Sequence, residues 1–422
     1  MMPLNREAAQ AAADGIAERL SSPSVVRAMG LRGGWWPQSL AVGAVGVALL
    51  HIERAYAGLG PWQRAHEWLD AAAVDGVDAG NGSHLHYGAP AVAFALHAAS
   101  RELGSYTRAL ETLDRHIAAE TRRRLDAAHA RMDAGQLPAL AEFDAIRGLT
   151  GIGAYLRQRD VNGQLLAETL AYLIRLTEPV QDHDEPLPGW WTTLAPSGHL
   201  SAEFPGGHAN TGMAHGIAGP LALLALTMRD GNAVDGQAEA IIRICNWLDR
   251  WRQGDASRPW WPYWVTRAQL SGAQPTPSSP SRPSWCYGTA GVARAQQLAA
   301  LAVGDQECRG MAERAIVGAL TDPLQLAAIT DASLCHGHAG LSHIASRCAA
   351  DASIPMSSFQ PSPLQALIED DTDAQQLAAE LLQPPGGCFG FLEGAAGVAL
   401  VLHAASSDLP PVSGWDSCLL IA

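Results

Sequence analysis

The sequence is poor in positive charge and has no long apolar run. Lys and Arg total 28 against 42 Asp and Glu, which gives a net charge of −14. Nucleic-acid-binding proteins usually carry a basic surface, so this charge disfavours that class. No apolar run approaches the ~18 residues that a membrane-spanning helix needs, and residues 1–10 lack the charged and then apolar pattern of a secretory signal. We therefore expect a cytoplasmic protein without a membrane span.

Charged residues are scarce as a whole, at 17% of the chain, whereas hydrophobic residues make up 48%. This composition favours a large buried core over disorder. The chain has seven cysteines. An odd number of cysteines in a long chain without an export signal argues against a disulfide framework. A length of 422 residues would ordinarily predict two or three domains, but repeat proteins break that rule.

A short glycine-containing unit, Gly-x-x-Gly, recurs seven times, with Ala91 replacing the second glycine in one copy. Each copy leads into an Ala/Leu/Val-rich segment of helical character, where glycine would let neighbouring backbones approach closely. Successive copies are 45 to 72 residues apart, which is typical of repeats whose loops differ in length. The first glycines of the seven copies are Gly43, Gly88, Gly148, Gly216, Gly288, Gly337 and Gly394.

Helical patterns also fill stretches between these copies, and strand signals are sparse. Residues 108–134, 163–176 and 237–251 have helical spacing or composition. Two helices per copy and seven copies predict an all-α protein of seven helical hairpins around an axis, in a single domain over residues 1–422. An open solenoid is the alternative.

Two long irregular stretches interrupt the helical pattern, at residues 189–212 and 254–283. Loops of this length in a compact protein are often functional. The Ser/Pro-rich part at 275–283 is either a lid or a flexible connector. Five tryptophans in these stretches either line a peptide cleft or belong to the core: Trp190, Trp191, Trp260, Trp261 and Trp264.

Two cysteines occupy the same place in their repeats. Cys286 lies two residues before Gly288, and Cys335 lies two residues before Gly337, so a repeating fold would place them equivalently. His336 completes a Cys2His set, which is known from catalytic zinc sites with an open fourth position. We predict one zinc ion per chain on Cys286, Cys335 and His336; buried structural cysteines are the alternative. Adjacent ligands should lie at a turn or a helix start, where Gly337 would allow unusual dihedral angles.

Three segments together resemble the lanthionine synthetase C-like family: GHANTGMAHG at 207–216, WCYG at 285–288 and CHG at 335–337. The seven-fold repeat extends the resemblance over nearly the whole chain. The resemblance implies a double-layered α/α toroid with zinc at its centre. It also implies that a peptide cysteine thiol adds to dehydroalanine or dehydrobutyrine, which forms a thioether ring. The implied partners are a dehydrated precursor peptide, a cognate dehydratase and an exporter.

The resemblance also assigns residues to the chemistry. Addition to the alkene builds an enolate, which needs a stabiliser and then a proton. His215 matches the family's catalytic histidine and would donate the proton. Arg282 would stabilise the enolate or orient His215, and Asp144 would deprotonate the thiol or hold His215. Tyr287 would hydrogen bond in the pocket. The alternatives are a core histidine for His215 and structural or surface charges for Arg282 and Asp144.

Other candidates are weaker. His84 and His86 lack a partner cysteine, and His338 is interpreted as structural or as a neighbour of the metal ligands. The remaining cysteines are interpreted as packing or surface residues: Cys245, Cys308, Cys348, Cys388 and Cys418.

Two rival functions stay open at this point. The first is a member of the same family that binds glutathione or another thiol, or acts as an adaptor without forming rings. The second is a different α/α toroid, such as a zinc prenyltransferase subunit or a glycosidase. A prenyltransferase-like zinc site should include an aspartate ligand, and inverting glycosidases need paired acidic residues. Neither is visible at the glycine-led positions.

Overall fold

In the computed structural model of the chain, the described residues are 4–28, 36–100, 105–159, 163–182, 185–368, 373–382, 388–407 and 409–422. These residues are mostly helical and their strands are three residues long, which confirms the predicted all-α class. None of their helices is long and apolar enough to cross a bilayer. The cytoplasmic location stays a prediction.

The helices and strands of the described residues follow one another in this order along the chain: α1 (Arg6–Arg19), α2 (Pro23–Ala28), α3 (Ala44–Tyr56), α4 (Trp62–Ala73), α5 (Ala89–Ser100), α6 (Thr107–Asp133), α7 (Leu140–Phe143), α8 (Leu149–Arg159), α9 (Gln164–Leu176), β1 (Val180–Asp182), β2 (Glu185–Leu187), β3 (His208–Asn210), α10 (Ala218–Arg229), α11 (Gln237–Trp251), β4 (Trp264–Thr266), α12 (Arg267–Leu270), α13 (Thr289–Val303), α14 (Gln306–Thr321), α15 (Pro323–Ala327), α16 (His338–Ala350), α17 (Ala374–Glu380) and α18 (Ala395–Ser407). Short 3₁₀ turns lie at Met356–Phe359, Pro363–Ala366 and Trp415–Leu419.

The three helices predicted between the glycine units are all present. The stretch at 108–134 is α6, the stretch at 163–176 is α9, and the stretch at 237–251 is α11. In α11, the buried positions 240, 241, 244, 247 and 248 form one stripe. Such a stripe is the mark of a helix that buries a single face.

The chain forms two compact units, each assembled from several segments. The first contains residues 1–117, 330–343 and 361–417, and the second contains 118–329, 344–360 and 418–422. In the first unit, α3 packs against α4, α5 and α18, and α1 packs against α17 and α18. In the second unit, α13 packs against α10, α11 and α14, and α8 packs against α9 and α10. The single domain over residues 1–422 stays a prediction.

Within each unit the helices form two layers of hairpins. The glycine-led helices α3 and α18 of the first unit, and α10 and α13 of the second, are buried around almost their whole circumference. Their hairpin partners α4 and α11 bury one face and expose the other. The Ala/Leu/Val-rich composition of the glycine-led helices explains this difference, because a helix that is apolar on all sides is stable only when it is buried.

The repeated glycines mark where the inner helices begin. In six of the seven copies the first glycine directly precedes the first residue of a helix, as Gly288 precedes Thr289 in α13. The second glycine avoids a clash with the turn before the helix. A Cβ on Gly340 would lie 2.1 Å from the carbonyl oxygen of Leu334, six residues earlier, and a Cβ on Gly291 would lie 2.3 Å from that of Trp285. Glycine is therefore needed because the backbone turns back on itself.

The two long irregular stretches are joined by a short antiparallel pair of strands. β3, from the stretch at 189–212, pairs with β4, from the stretch at 254–283, with His208 opposite Thr266 and Asn210 opposite Trp264. In the Ser/Pro-rich part at 275–283, four residues are exposed, four are half-buried and Pro283 is buried. Its role as a lid or a connector stays open.

Candidate functional site

The candidate catalytic residues of the second unit are held on neighbouring turns, each directly before an inner helix. The turn before α10 carries His215, and the turn before α13 carries Cys286 and Tyr287. The backbone N–H of Ala214 donates to the carbonyl oxygen of Cys286 over 3.2 Å, and that of Ala145 donates to the carbonyl of Ala214 over 3.0 Å. These bonds join three successive repeats, so residues far apart in sequence lie side by side.

His215 and Asp144 are in direct contact. Nδ1 of His215 lies 2.6 Å from Oδ2 of Asp144. The aspartate side chain is 2% exposed and the histidine side chain is 31% exposed. Since a carboxylate accepts the proton of Nδ1, the free nitrogen of the imidazole is Nε2. The pair therefore offers an oriented imidazole whose Nε2 is available for proton transfer.

The carboxylate of Asp144 is itself held by the turn that leads into α8. Its Oδ1 accepts from the backbone N–H groups of Ile146 at 3.1 Å, Arg147 at 2.6 Å and Gly148 at 2.8 Å. An aspartate that bonds the backbone two to four residues ahead is typical of a turn that leads into a helix. Oδ2 is left for His215. Of the two roles considered for Asp144, this contact favours holding His215.

Tyr287 extends the group. Its ring centroid lies 6.1 Å from that of His215, and its hydroxyl accepts from Nδ2 of Asn210 over 3.4 Å. The rings of Tyr263 and Trp264 lie 5.4 Å and 6.2 Å from that of Tyr287. Partial burial raises the pKa of Tyr263. The tyrosine thus belongs to a half-buried aromatic wall beside the histidine.

Arg282 is anchored next to this wall through its own segment. Its Nε donates to Oγ of Ser284 over 2.8 Å, and its carbonyl oxygen accepts from the hydroxyl of Tyr263 over 3.1 Å. Within the described part of the chain, its hydrogen bonds do not include one to His215. The two roles considered for Arg282, stabilising the enolate and orienting His215, both stay predictions.

Two of the three predicted metal ligands, Cys335 and His336, are neighbours in the first unit, on the turn before α16. The third, Cys286, lies in the second unit, on the turn before α13. Cys286 is 7% exposed and Cys335 is 8% exposed. Two thiols and an imidazole are a donor set that suits a zinc ion.

The turn that carries Cys335 and His336 precedes α16, as expected for adjacent ligands. The expected reason for Gly337 is wrong, however. Its φ is not among the positive ones, whereas Gly288 has a φ of 99°. A Cβ at Gly337 would instead lie 2.2 Å from the backbone nitrogen of Ser333. Gly337 is required for close packing of the turn and not for an unusual dihedral angle.

Alignment on the first glycine reveals a relationship that the sequence analysis missed. His215, Tyr287 and His336 each occupy the position directly before that glycine, so three candidate residues are equivalent in their repeats. Asn210 and Asp331 were also missed. Asn210 contacts Tyr287, and Asp331 contacts His336. The signal for Asp331 was weak, since it is an acidic residue only five positions before a metal ligand.

Most of the weaker candidates belong to the core. Trp190, Trp191, Trp260 and Trp261 are buried, whereas Trp264 is half-buried in the aromatic wall. Within the described residues, His84, His86 and His338 do not belong to a group of side chains that could hold a metal ion. His338 begins α16, and burial lowers its pKa. Three of the other cysteines are buried and two are half-buried: Cys308, Cys348 and Cys418, then Cys245 and Cys388.

Comparison with known proteins agrees with this fold. The family described as "Lanthionine synthetase C-like protein" matches residues 34–420. The chain is 23% identical over 341 residues to Nisin biosynthesis protein NisC of Lactococcus lactis subsp. lactis, covering 80% of this chain and 77% of that protein. The solved structure of Nisin cyclase superposes with a TM-score of 0.74 at 21% identity, covering 92% of this chain and 93% of the other. This likeness confirms the predicted α/α toroid fold class, and the chain belongs to the lanthionine synthetase C-like family.

Proposed function

We propose that this protein is a zinc-dependent lanthipeptide cyclase. It adds cysteine thiols of a dehydrated precursor peptide to dehydroalanine or dehydrobutyrine residues and so forms lanthionine and methyllanthionine rings. The names of the relatives NisC and Nisin cyclase support a peptide substrate of this class. A cognate dehydratase and an exporter are proposed as further partners.

The observation that carries the proposal is the contact between Asp144 and His215. A family member that only binds a thiol needs ligands for that thiol, and it has no use for an oriented proton donor. Here a buried carboxylate, held by three backbone N–H groups, contacts Nδ1 of a half-exposed histidine. An arrangement of this kind prepares Nε2 for proton transfer. It favours the cyclase over a thiol-binding adaptor.

Cys286, Cys335 and His336 would hold the zinc ion. Two thiolates and a neutral imidazole balance its charge, and the bound ion supplies a site where a substrate thiol is held as a reactive thiolate at neutral pH. Both cysteines are buried, which would limit the access of water to a bound ion. The site is proposed to contain one zinc per chain.

The chain's own residues would then complete the addition. A bond forms from the substrate sulfur to the β-carbon of the dehydro residue, while the π electrons of the alkene move to the carbonyl and give an enolate. Arg282 stabilises the negative enolate oxygen, and Tyr287 donates a hydrogen bond to the same oxygen. His215 donates a proton from Nε2 to the α-carbon, with Asp144 holding its ring. The proton lost by the thiol balances the proton gained, so the peptide mass is unchanged.

The test uses a dehydrated peptide that retains its cysteines, incubated with and without the protein. N-ethylmaleimide then labels the remaining thiols, and mass spectrometry counts the labels. We expect fewer labels only with the active protein, at unchanged peptide mass. The His215→Ala variant is the control for spontaneous cyclisation. Equal labelling with wild type and without protein would contradict the proposal, and tight binding of glutathione in the same preparation would then favour the thiol-binding alternative.

Zinc content is tested separately. Elemental analysis of the purified protein should give about one zinc per chain, and Cys335→Ala should lose it, because structural and catalytic zinc sites depend on each thiolate ligand. The Cys388→Ala variant removes a half-buried thiol outside the proposed ligand set and should keep its zinc. A metal-free wild-type protein with full cyclisation activity would show that zinc is not the cofactor.

A further inference from the structure

One carboxylate lies beside the proposed metal ligand His336 and is not used by the chemistry above. Oδ2 of Asp331 lies 3.3 Å from Nε2 of His336. The two side chains are partly exposed, at 36% for Asp331 and 24% for His336. Both line a cavity of about 450 Å³ in the first unit. The carboxylate therefore approaches the imidazole nitrogen farther from the backbone.

The local turn holds both partners in place. Oδ1 of Asp331 accepts from the backbone N–H of Ser333 over 2.7 Å, and its carbonyl oxygen accepts from that of His338 over 3.1 Å. The N–H of His336 donates to Oγ of Ser333 over 3.2 Å. The N–H of Cys335 donates to the carbonyl of Leu392 over 2.7 Å. Asp331 and His336 thus belong to one tightly bonded turn, and their contact follows from its geometry.

We propose that Asp331 is a positioning residue for the metal site. It accepts a hydrogen bond from Nε2–H of His336, which keeps the proton on Nε2 and leaves Nδ1 for zinc. Ligating histidines usually donate their second N–H to a carboxylate or a carbonyl, which sets the tautomer and the ring orientation. This inference rests on the zinc site of the proposed function and assigns a task to a residue outside the ligand set.

Asparagine is the informative replacement at this position. One oxygen of Asp331 accepts from the N–H of Ser333, and the other lies 3.3 Å from Nε2 of His336. Asparagine has the same shape but a single acceptor oxygen. If that oxygen keeps the bond to Ser333, the turn survives and an NH2 group faces Nε2. The imidazole can accept a hydrogen bond from that NH2 group if its own proton moves from Nε2 to Nδ1. A proton on Nδ1 competes with the metal.

The experiment compares zinc affinity in the full-length protein by competition with a chromophoric chelator. Asp331→Asn and Asp331→Ala should weaken zinc binding about 10- to 100-fold, the usual effect of removing such a partner. Glu380→Gln is the matched control, because Glu380 lines the same cavity and its neutralisation removes the same charge. It should bind zinc as the wild type does. Thermal melting of the metal-free variants checks that the turn has not unfolded.

A second measurement reports on the tautomer itself. In ¹⁵N-histidine NMR spectra of the zinc-loaded wild type, His336 should carry its proton on Nε2 and coordinate through Nδ1; the His336→Asn variant assigns the signal. Zinc bound through Nε2, or Asp331→Asn with wild-type affinity, would overturn the role of Asp331 alone. A wild-type protein that binds no zinc would instead refute the metal site of the proposed function, and this inference with it.

Discussion

Nδ1 of His215 lies 2.6 Å from Oδ2 of Asp144, although the two residues are 71 positions apart. The aspartate cannot turn away from the histidine, because three N–H groups in the turn before α8 hold its other oxygen. The imidazole is therefore fixed in orientation by α8 while its own turn leads into α10. Proton transfer by Nε2 depends on both turns.

We predict that Asp144→Asn and His215→Ala each slow cyclisation by about 10²–10⁴, the range that general acid–base catalysis contributes. Asparagine at 144 can still bond the backbone but presents an amide to Nδ1, which favours the wrong tautomer. The double variant should be no slower than the slower single variant, because the two residues act as a unit. Single-turnover rates measure this, and zinc content should be unchanged. Loss of zinc together with activity would make His215 a ligand or a structural residue.

Removal of Arg282 should slow the chemical step far more than it weakens peptide binding. Loss of one oxyanion donor typically costs ~10²–10³ in rate. Arg282→Lys keeps the charge but loses the planar fork of donors, so it should recover only part of the rate. Ser284→Ala is the control: it removes the acceptor of Nε and leaves the guanidinium intact. Single-turnover cyclisation at saturating peptide and a binding titration separate the two effects. If Arg282→Ala cyclises saturating peptide at the wild-type rate, the arginine serves only to bind the peptide.

Two glycines at the ends of α13 provide a matched test of the turn that carries Cys286. Gly288 and Gly304 both have left-handed φ, at 99° and 79°. A Cβ at Gly288 would lie 2.2 Å from the carbonyl oxygen of Arg282, whereas a Cβ at Gly304 meets no heavy atom within 4 Å. Gly304→Ala should therefore cost only the strain of a left-handed residue, about 1–2 kcal/mol.

Gly288→Ala should cost at least 1 kcal/mol more than that. It should also lower zinc content, because the turn with Arg282 and Cys286 must move. Urea unfolding of both variants and elemental analysis check the comparison. Equal losses of stability would mean that the close contact at Gly288 relaxes without consequence.

The buried His208 should make folding sensitive to acid. Burial lowers its pKa from 6.5 to about 4, against the opposing effect of a backbone hydrogen bond with Leu194. As the pH falls below 6.5, the unfolded chain gains a proton that the folded chain does not accept until about pH 4. Stability is therefore lost across this window, by about 2 kcal/mol between pH 7 and pH 5.

His208→Leu should remove that share of the pH dependence, whereas His199→Leu, which changes an exposed histidine, should leave it in place. Urea unfolding at pH 7 and pH 5 measures the difference. An identical loss of stability on acidification in wild type and His208→Leu would show that His208 does not contribute.

The sequence alone determined the features that depend on neighbours along the chain. The Gly-x-x-Gly copies predicted the starts of the inner helices, because a first glycine and a second one three residues later belong to one turn. Apolar spacing predicted α9 and α11 almost to their ends, because that spacing records which side of a helix is buried. Composition predicted α6, since its stretch is rich in Ala, Arg and Leu and lacks Pro and Gly. The equivalence of Cys286 and Cys335 was likewise visible, since it is a position within a repeat.

Only the tertiary structure decided the contacts between repeats. Whether Asp144 meets the thiol or the histidine depends on the hydrogen bond that joins the turns of Ala145 and Ala214, and no local pattern encodes that bond. The same holds for the contact between Asn210 and Tyr287. It also holds for the tryptophans, because a tryptophan-rich segment has the same composition whether it packs in the core or lines a cleft. Such choices follow from packing between helices that are far apart in sequence, where the burial of whole surfaces outweighs the preference of any single residue.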